Sequence, residues 1–137
     1  MKGVKIDKPG SIEIREKVFP QQNVKIGINV VFEGKVYLDS NVTIEDNCFL
    51  NTCRIKENSV IRSNSIIEGA SIGKDSTVGP YARIRPETSI GDNSQIGNFV
   101  EIKNSKDLNI FLFTVPFPLL RNLTFLFHHA SLQRIFP

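Results

Sequence analysis

Histidine is missing from the first 105 residues of this 137-residue chain; both copies, His128 and His129, fall near its end. That long stretch therefore has no imidazole, the usual general base for acyl transfer and a common zinc ligand. The adjacent pair near the end lies outside any repeat and reads as chance, not chemistry. Also absent are a GxGxxG fingerprint, a Walker loop and the glycine-rich, basic loop of nucleotidyltransferases, so the common phosphate cradles are missing. There is no secretory signal at the start, and the only two cysteines are Cys48 and Cys53. A cytoplasmic chain with reduced thiols is expected. The formal charge of +3 is misleading. Up to Ser105 there are fourteen Lys and Arg against thirteen Asp and Glu. No basic stripe points to nucleic acid.

What is present is a six-residue beat. A large apolar residue recurs at Ile26, Phe32, Leu38, Ile44, Leu50, Ile55, Ile61, Ile67, Ile72, Val78, Ile84, Ile90, Ile96 and Ile102. Two places before each stands a small or β-branched residue, from Val24 through Cys48, Cys53 and Ser59 to Val100. Two of the thirteen intervals are five residues long, and both columns slip together there. Six fits neither the 3.6 of a helix nor the alternation of a single strand. It fits short strands separated by sharp corners and wound into a solenoid, three hexads to a coil. Gly27, Gly73, Gly79, Gly91 and Gly97 follow the large residue directly, where positive φ is expected at the corner. The fold class is therefore all-β, a parallel β-helix of about five coils. Phe32, Leu50, Ile67, Ile84 and Ile102 should form one inward stack, and both cysteines should fill the core.

Three segments follow. Residues 1–11, with Pro9 and Gly10, read as a linker or lead-in. Residues 12–105 are the hexapeptide-repeat domain, its first coil imperfect because Pro20 stands at an inward apolar place. Residues 106–137 form a hydrophobic tail without hexads, holding six of the ten Phe residues. Pro116, Pro118, Arg121 and Asn122 break it before about 20 clean apolar residues accumulate, so a membrane span is not expected. Out-of-frame sequence, a capping helix over the open coil and a hydrophobic anchor all remain open.

Residues eighteen apart stack in adjacent coils, about 4.8 Å apart. One corner column then reads Glu33, Asn51, Glu68, Arg85, Lys103. Two stacked cations repel by about 1 kcal/mol in water and about 3 at a partly shielded surface. An anion between them, a phosphate for instance, would turn that cost to use. Alternatively, Glu68 neutralises Arg85 and Lys103 is solvated. Arg83 and Glu101 should form a cross-coil ion pair, whereas Arg62 and Lys56 should be solvated.

The stretch VGPYARIRPETSIGDNSQIGNFVEIKNS (Val78 to Ser105) resembles the bacterial bifunctional UDP-N-acetylglucosamine pyrophosphorylase / glucosamine-1-phosphate N-acetyltransferase family. It carries that family's G-P-[FY]-A-R-[IL]-R-P and [VI]-G-N-F-V-E-[IM]-K blocks at the family's separation. The resemblance covers about residues 3–105 and implies a left-handed helix and a homotrimer. It implies that Arg85 and Lys103 bind the sugar phosphate of the acetyl acceptor. Acetyl-CoA and Mg²⁺ belong to the full-length family; no cofactor is expected in this chain. The uridyltransferase domain and the G-H-L-[ST]-Y motif with the catalytic histidine have no counterpart, so no activity is expected from the chain alone. The alternatives are a non-catalytic trimerising module and membrane attachment through the tail.

Overall fold

The computed structural model describes residues 3–106 and the backbone of 111–112. Apart from one 3₁₀ turn at Pro9–Ser11, the regular elements described are short strands, and each pairing between them is parallel. The chain winds as a β-solenoid of about six turns, one more than the hexads suggest. The extra turn comes from the start of the chain. The lead-in forms β1 (Val4–Ile6), which pairs with β4 (Val24–Ile26) in register Val4↔Val24. The imperfect coil supplies β2 (Glu13–Ile14) and β3 (Lys17–Pro20), both laid on β5 (Val31–Leu38).

Three faces repeat. The first face holds β1, β4, β6 (Thr43–Ile44), β8 (Val60–Ile61), β11 (Thr77–Val78) and β14 (Gln95–Ile96), and Phe111–Leu112 adds a last strand to β14. The second face stacks β2, the start of β5, the start of β7 (Phe49–Ile55), β9 (Ile66–Glu68), β12 (Arg83–Ile84) and β15 (Glu101–Ile102). The third runs from β3 through the far ends of β5 and β7 to β10 (Ala70–Ile72) and β13 (Thr88–Ile90).

Inward columns occupy the core as the beat requires. Phe32, Leu50, Ile67, Ile84 and Ile102 pair in sequence and are fully buried. Cys48 and Cys53 are buried and unbridged. The small column does more than leave room. The Ser59 and Ser76 hydroxyls accept from the backbone N–H of Ser76 and Ser94 one coil on, both at 3.0 Å, and Ser65 accepts from Ala82 N–H at 3.3 Å. Serine thus bonds coil to coil inside an otherwise apolar core.

The corners differ from expectation in one respect. Of the five glycines after large residues, only Gly79 has positive φ. From Val24 on, the left-handed residue instead stands directly before the small inward residue at every corner but the one before Val36, where it is Gly34: Asn23, Asn29, Asn41, Asn47, Asn58, Asn64, Asp75, Asn93 and Asn104 among others. Asn and Asp tolerate αL because a short polar side chain bonds locally. Gly27 and Gly73 serve close approach. A Cβ on Gly73 would lie 2.5 Å from the Gly91 carbonyl carbon, and one on Gly27 would lie 2.9 Å from Asp46 N.

Asn104 in αL followed by buried Ser105, whose carbonyl accepts from Ser89 N–H at 2.7 Å, marks a third five-residue interval after Val100. No helix among the described residues is long and apolar enough to cross a membrane. His128, His129 and the expectations for the tail beyond residue 112 lie outside the described residues.

Candidate anion site at the second corner

The corner between the second and third faces is the variable one. Between small inward residues it takes six residues after Val30 and Ala82 but five after Cys48, Ser65 and Val100. A six-residue corner over a five-residue one produces the register shift between Glu33 and Val36 on β5. The expected column is in place at this corner. Glu33 pairs with Asn51 and Asn51 with Glu68. Ile84 pairs with Ile102, and Arg85 N–H donates to Ile102 carbonyl at 2.8 Å, which sets Arg85 and Lys103 on adjacent coils.

Both cations are half-buried, and neither meets a carboxylate among the described residues. Glu68 does not neutralise Arg85. Its carboxylate meets Arg83 at 3.6 Å, and Arg83 also reaches Glu101 at 3.8 Å, so the expected Arg83–Glu101 pair is part of a three-member ladder. Arg83 projects from β12 between carboxylates on the coils below and above. It takes up the acid that Arg85 would need. Two stacked cations without a counter-charge make a local positive potential suited to a divalent anion, the guanidinium by its fork and the ammonium as a point charge.

The other arginines among the described residues, Arg15, Arg54 and Arg62, each meet a carboxylate. Arg62, expected to be solvated, donates through Nε to Glu45 Oε1 at 3.0 Å, and the same oxygen accepts from Ser63 N–H at 3.2 Å. The acid lies one coil below, seventeen residues back in the chain. Burial pushes the Cys48 thiol up to about 11 and Cys53 to about 12. Cys48 also donates to Arg62 carbonyl at 3.2 Å. These are core thiols, poor nucleophiles at neutral pH.

Among the described residues no group of three or more His, Cys, Asp or Glu is placed to hold a metal ion. The outward residues missed by sequence reasoning form two further features. On the second face Val31, Phe49 and Ile66 stand in one half-buried outward column. Nearby, Tyr81 and Phe99 stack at 5.5 Å while 52% and 67% exposed, both in αL where other corners use Asn. An eighteen-residue spacing between aromatics would have flagged the second feature.

Comparison with known proteins finds relatives of the chain. The chain is 41% identical over 59 residues to the bifunctional protein GlmU of Pseudoalteromonas atlantica, covering 43% of this chain and 13% of that one. It is 44% identical over 55 residues to the GlmU of a Psychrobacter species, covering 40% of this chain and 12% of the relative. The matched part is thus a small share of these curated relatives. Among solved structures, the acetyltransferase domain of PglB from Neisseria gonorrhoeae overlaps 79% of this chain and 50% of its own, at 17% identity and a TM-score of 0.46. The same domain with acetyl coenzyme A overlaps 74% and 54%, at 15% identity and a TM-score of 0.36. Both overlaps are loose. The family described as the GMPPB C-terminal domain matches residues 14–110, a span that takes in the coils from Ile14 to Lys103 with Arg85 among them, and the chain belongs to that family.

Proposed function

We propose that this chain is the acceptor-binding part of a GlmU-like acetyltransferase domain, holding a sugar phosphate such as glucosamine-1-phosphate between Arg85 and Lys103. The observation that carries the reading is the pair of stacked, half-buried cations that meet no carboxylate among the described residues, where Arg83 engages Glu68 and Glu101. Arg85 would grip two phosphate oxygens and Lys103 a third, which fixes the sugar against the corner. Acyl transfer itself needs an imidazole, and residues 1–105 have none. The chain alone should therefore bind the acceptor without turning it over. Acetyl-CoA and magnesium would be engaged by parts of a larger enzyme, in the cytoplasm.

Calorimetry with glucosamine-1-phosphate tests the site. Charge-assisted hydrogen bonds contribute about 1.5–3 kcal/mol, so Arg85→Ala or Lys103→Ala should each weaken binding about 10- to 100-fold. Unchanged affinity in both variants, or acetyl-CoA turnover by the purified chain, overturns the reading.

The second reading, a non-catalytic trimerising module, is favoured by the outward column Val31–Phe49–Ile66. Apolar residues facing out on three successive coils suit a face shared between copies, and a homotrimer built on it would serve either reading. Light scattering on Phe49→Asp decides: a loss of the oligomer supports this face, and an unchanged oligomer removes it.

A further inference from the structure

We infer that Arg83 is the positioning residue of the Arg85–Lys103 corner: it holds two carboxylates, Glu68 and Glu101, off the two cations that would receive the phosphate. The inference rests on the sugar-phosphate reading above and adds the residue that keeps that corner open.

Each acid has a second cation within reach. Ile67 pairs with Ile84, so Glu68 and Arg85, the residues that follow them, face each other across adjacent coils. Such coils lie about 4.8 Å apart, well inside the span of the two side chains. Glu101 and Lys103 stand on either side of Ile102 in one coil, and strand residues two apart project to the same side. By register alone, Glu68 would go to Arg85 and Glu101 to Lys103. Among the described cations, Arg83 takes both instead. Its Nη2 lies 3.6 Å from Glu68 Oε1 and its Nη1 3.8 Å from Glu101 Oε2.

The shape of the guanidinium makes this possible. Arg83 pairs in register with Glu101 on the coil above and reaches diagonally to Glu68 on the coil below. A planar fork has nitrogens to offer on two edges, whereas an ammonium is a single point of charge. The two carboxylate side chains are 27% and 35% exposed, so solvent only partly screens them. Released from Arg83, each would compete with a phosphate for the donors of Arg85 or Lys103 and set a like charge beside the arriving anion. One arginine therefore removes two competitors and leaves the donors of both site cations to the ligand.

Calorimetry with glucosamine-1-phosphate on the full chain tests this, each variant being checked by its thermal melt. Arg83→Gln keeps a polar side chain and loses the charge; it should weaken binding about fivefold or more. Glu68→Gln/Arg83→Gln/Glu101→Gln, with no acid left to turn, should bind at least as tightly as the parent. Arg83→Gln/Glu87→Gln removes an exposed acid two places from Arg85 that Arg83 does not hold, and should stay weak. Should Arg83→Gln fail to fold, Arg83→Lys carries the test: one ammonium cannot span both acids, so binding should fall about twofold or more and Glu101→Gln should restore it. Unchanged affinity in Arg83→Gln, a loss that the triple variant leaves in place, or equal recovery with Glu87→Gln overturns the positioning role. Failure of the sugar-phosphate reading has a different mark, unchanged affinity in Arg85→Ala and Lys103→Ala, and takes the positioning role with it.

Discussion

Replacing Gly73 by alanine isolates what the corner glycines do. Its φ is outside the positive range, so alanine can adopt the backbone, and any penalty must come from space. The new Cβ would sit 2.5 Å from the Gly91 carbonyl carbon and 2.6 Å from Asp92 N. Ordinary contact begins at 3.4 Å, so the coils must part by about 0.9 Å (3.4 − 2.5). Both partners are backbone and cannot rotate away. The spacing is held by Asn93 N–H to Lys74 carbonyl at 2.8 Å and by Lys74 N–H to Asp92 Oδ1 at 2.8 Å. Overpacking costs about 1–3 kcal/mol and each weakened hydrogen bond about 1. Against this, Gly→Ala restricts the unfolded chain by about 0.4–1 kcal/mol in the variant's favour. The net loss is about 2 kcal/mol, which for a domain near 100 residues lowers the thermal midpoint by about 8–16 °C. Gly10→Ala, with nothing within 4 Å, is the control and should leave the midpoint level or slightly higher. Circular-dichroism melts that place the two variants within about 2 °C of each other would refute close approach as the reason for glycine at Gly73.

Three other outcomes follow from the same packing. Leu50→Asp sets a carboxylate between Phe32 and Ile67 with no partner and should cost several kcal/mol; a retained thermal midpoint would mean the stack is misassigned. Asn64→Val puts a β-branched residue at φ 63, a strain of about 1–2 kcal/mol, and should melt at least 4 °C lower, while Gln95→Val on the outer surface of β14 should not. Cys48 and Cys53 should resist Ellman's reagent at pH 8 until the chain is unfolded. Their folded-state pKa values, about 11 and about 12, lie above the unfolded 9.0, so their contribution is complete below pH 9 and fades as pH rises towards 11–12. Urea midpoints at pH 8 and 10.5 should therefore diverge less in a Cys48→Ala/Cys53→Ala double variant than in the parent; equal divergence would remove the thiols from the account.

The inward positions were legible because they answer to one constraint. Every coil must place a large and a small residue on each face, and Phe32 through Ile102 obey it without exception. The location of the left-handed residue was misjudged because glycine is the louder signal for positive φ. Asn before the small residue was the better guide: Asn23, Asn41, Asn58 and Asn93 recur along one corner, and Asn23 donates to Asn41 Oδ1 at 2.8 Å. The sixth turn was harder to see. Pro20 at an inward place disguises a coil that still pairs fully with β5, because proline's missing N–H faces away from any partner the ladder needs.

Outward positions answer to no such repeat, and the proposed site is built from them. Spacing could stack Arg85 under Lys103, but it could not decide between Glu68 and its two candidate arginines. That choice rests on reach. Arg83 stands on the face itself, where acids from the coils on both sides converge, and it satisfies both at 3.6 and 3.8 Å. The corner after Ala82 is one residue longer than the one after Ser65, six against five, but Ile84 still pairs with Ile67, so the extra residue falls beyond Ile84 and the slip does not make the choice. Stacking order was visible in the sequence from the start; which arginine takes the acid needed side chains in place.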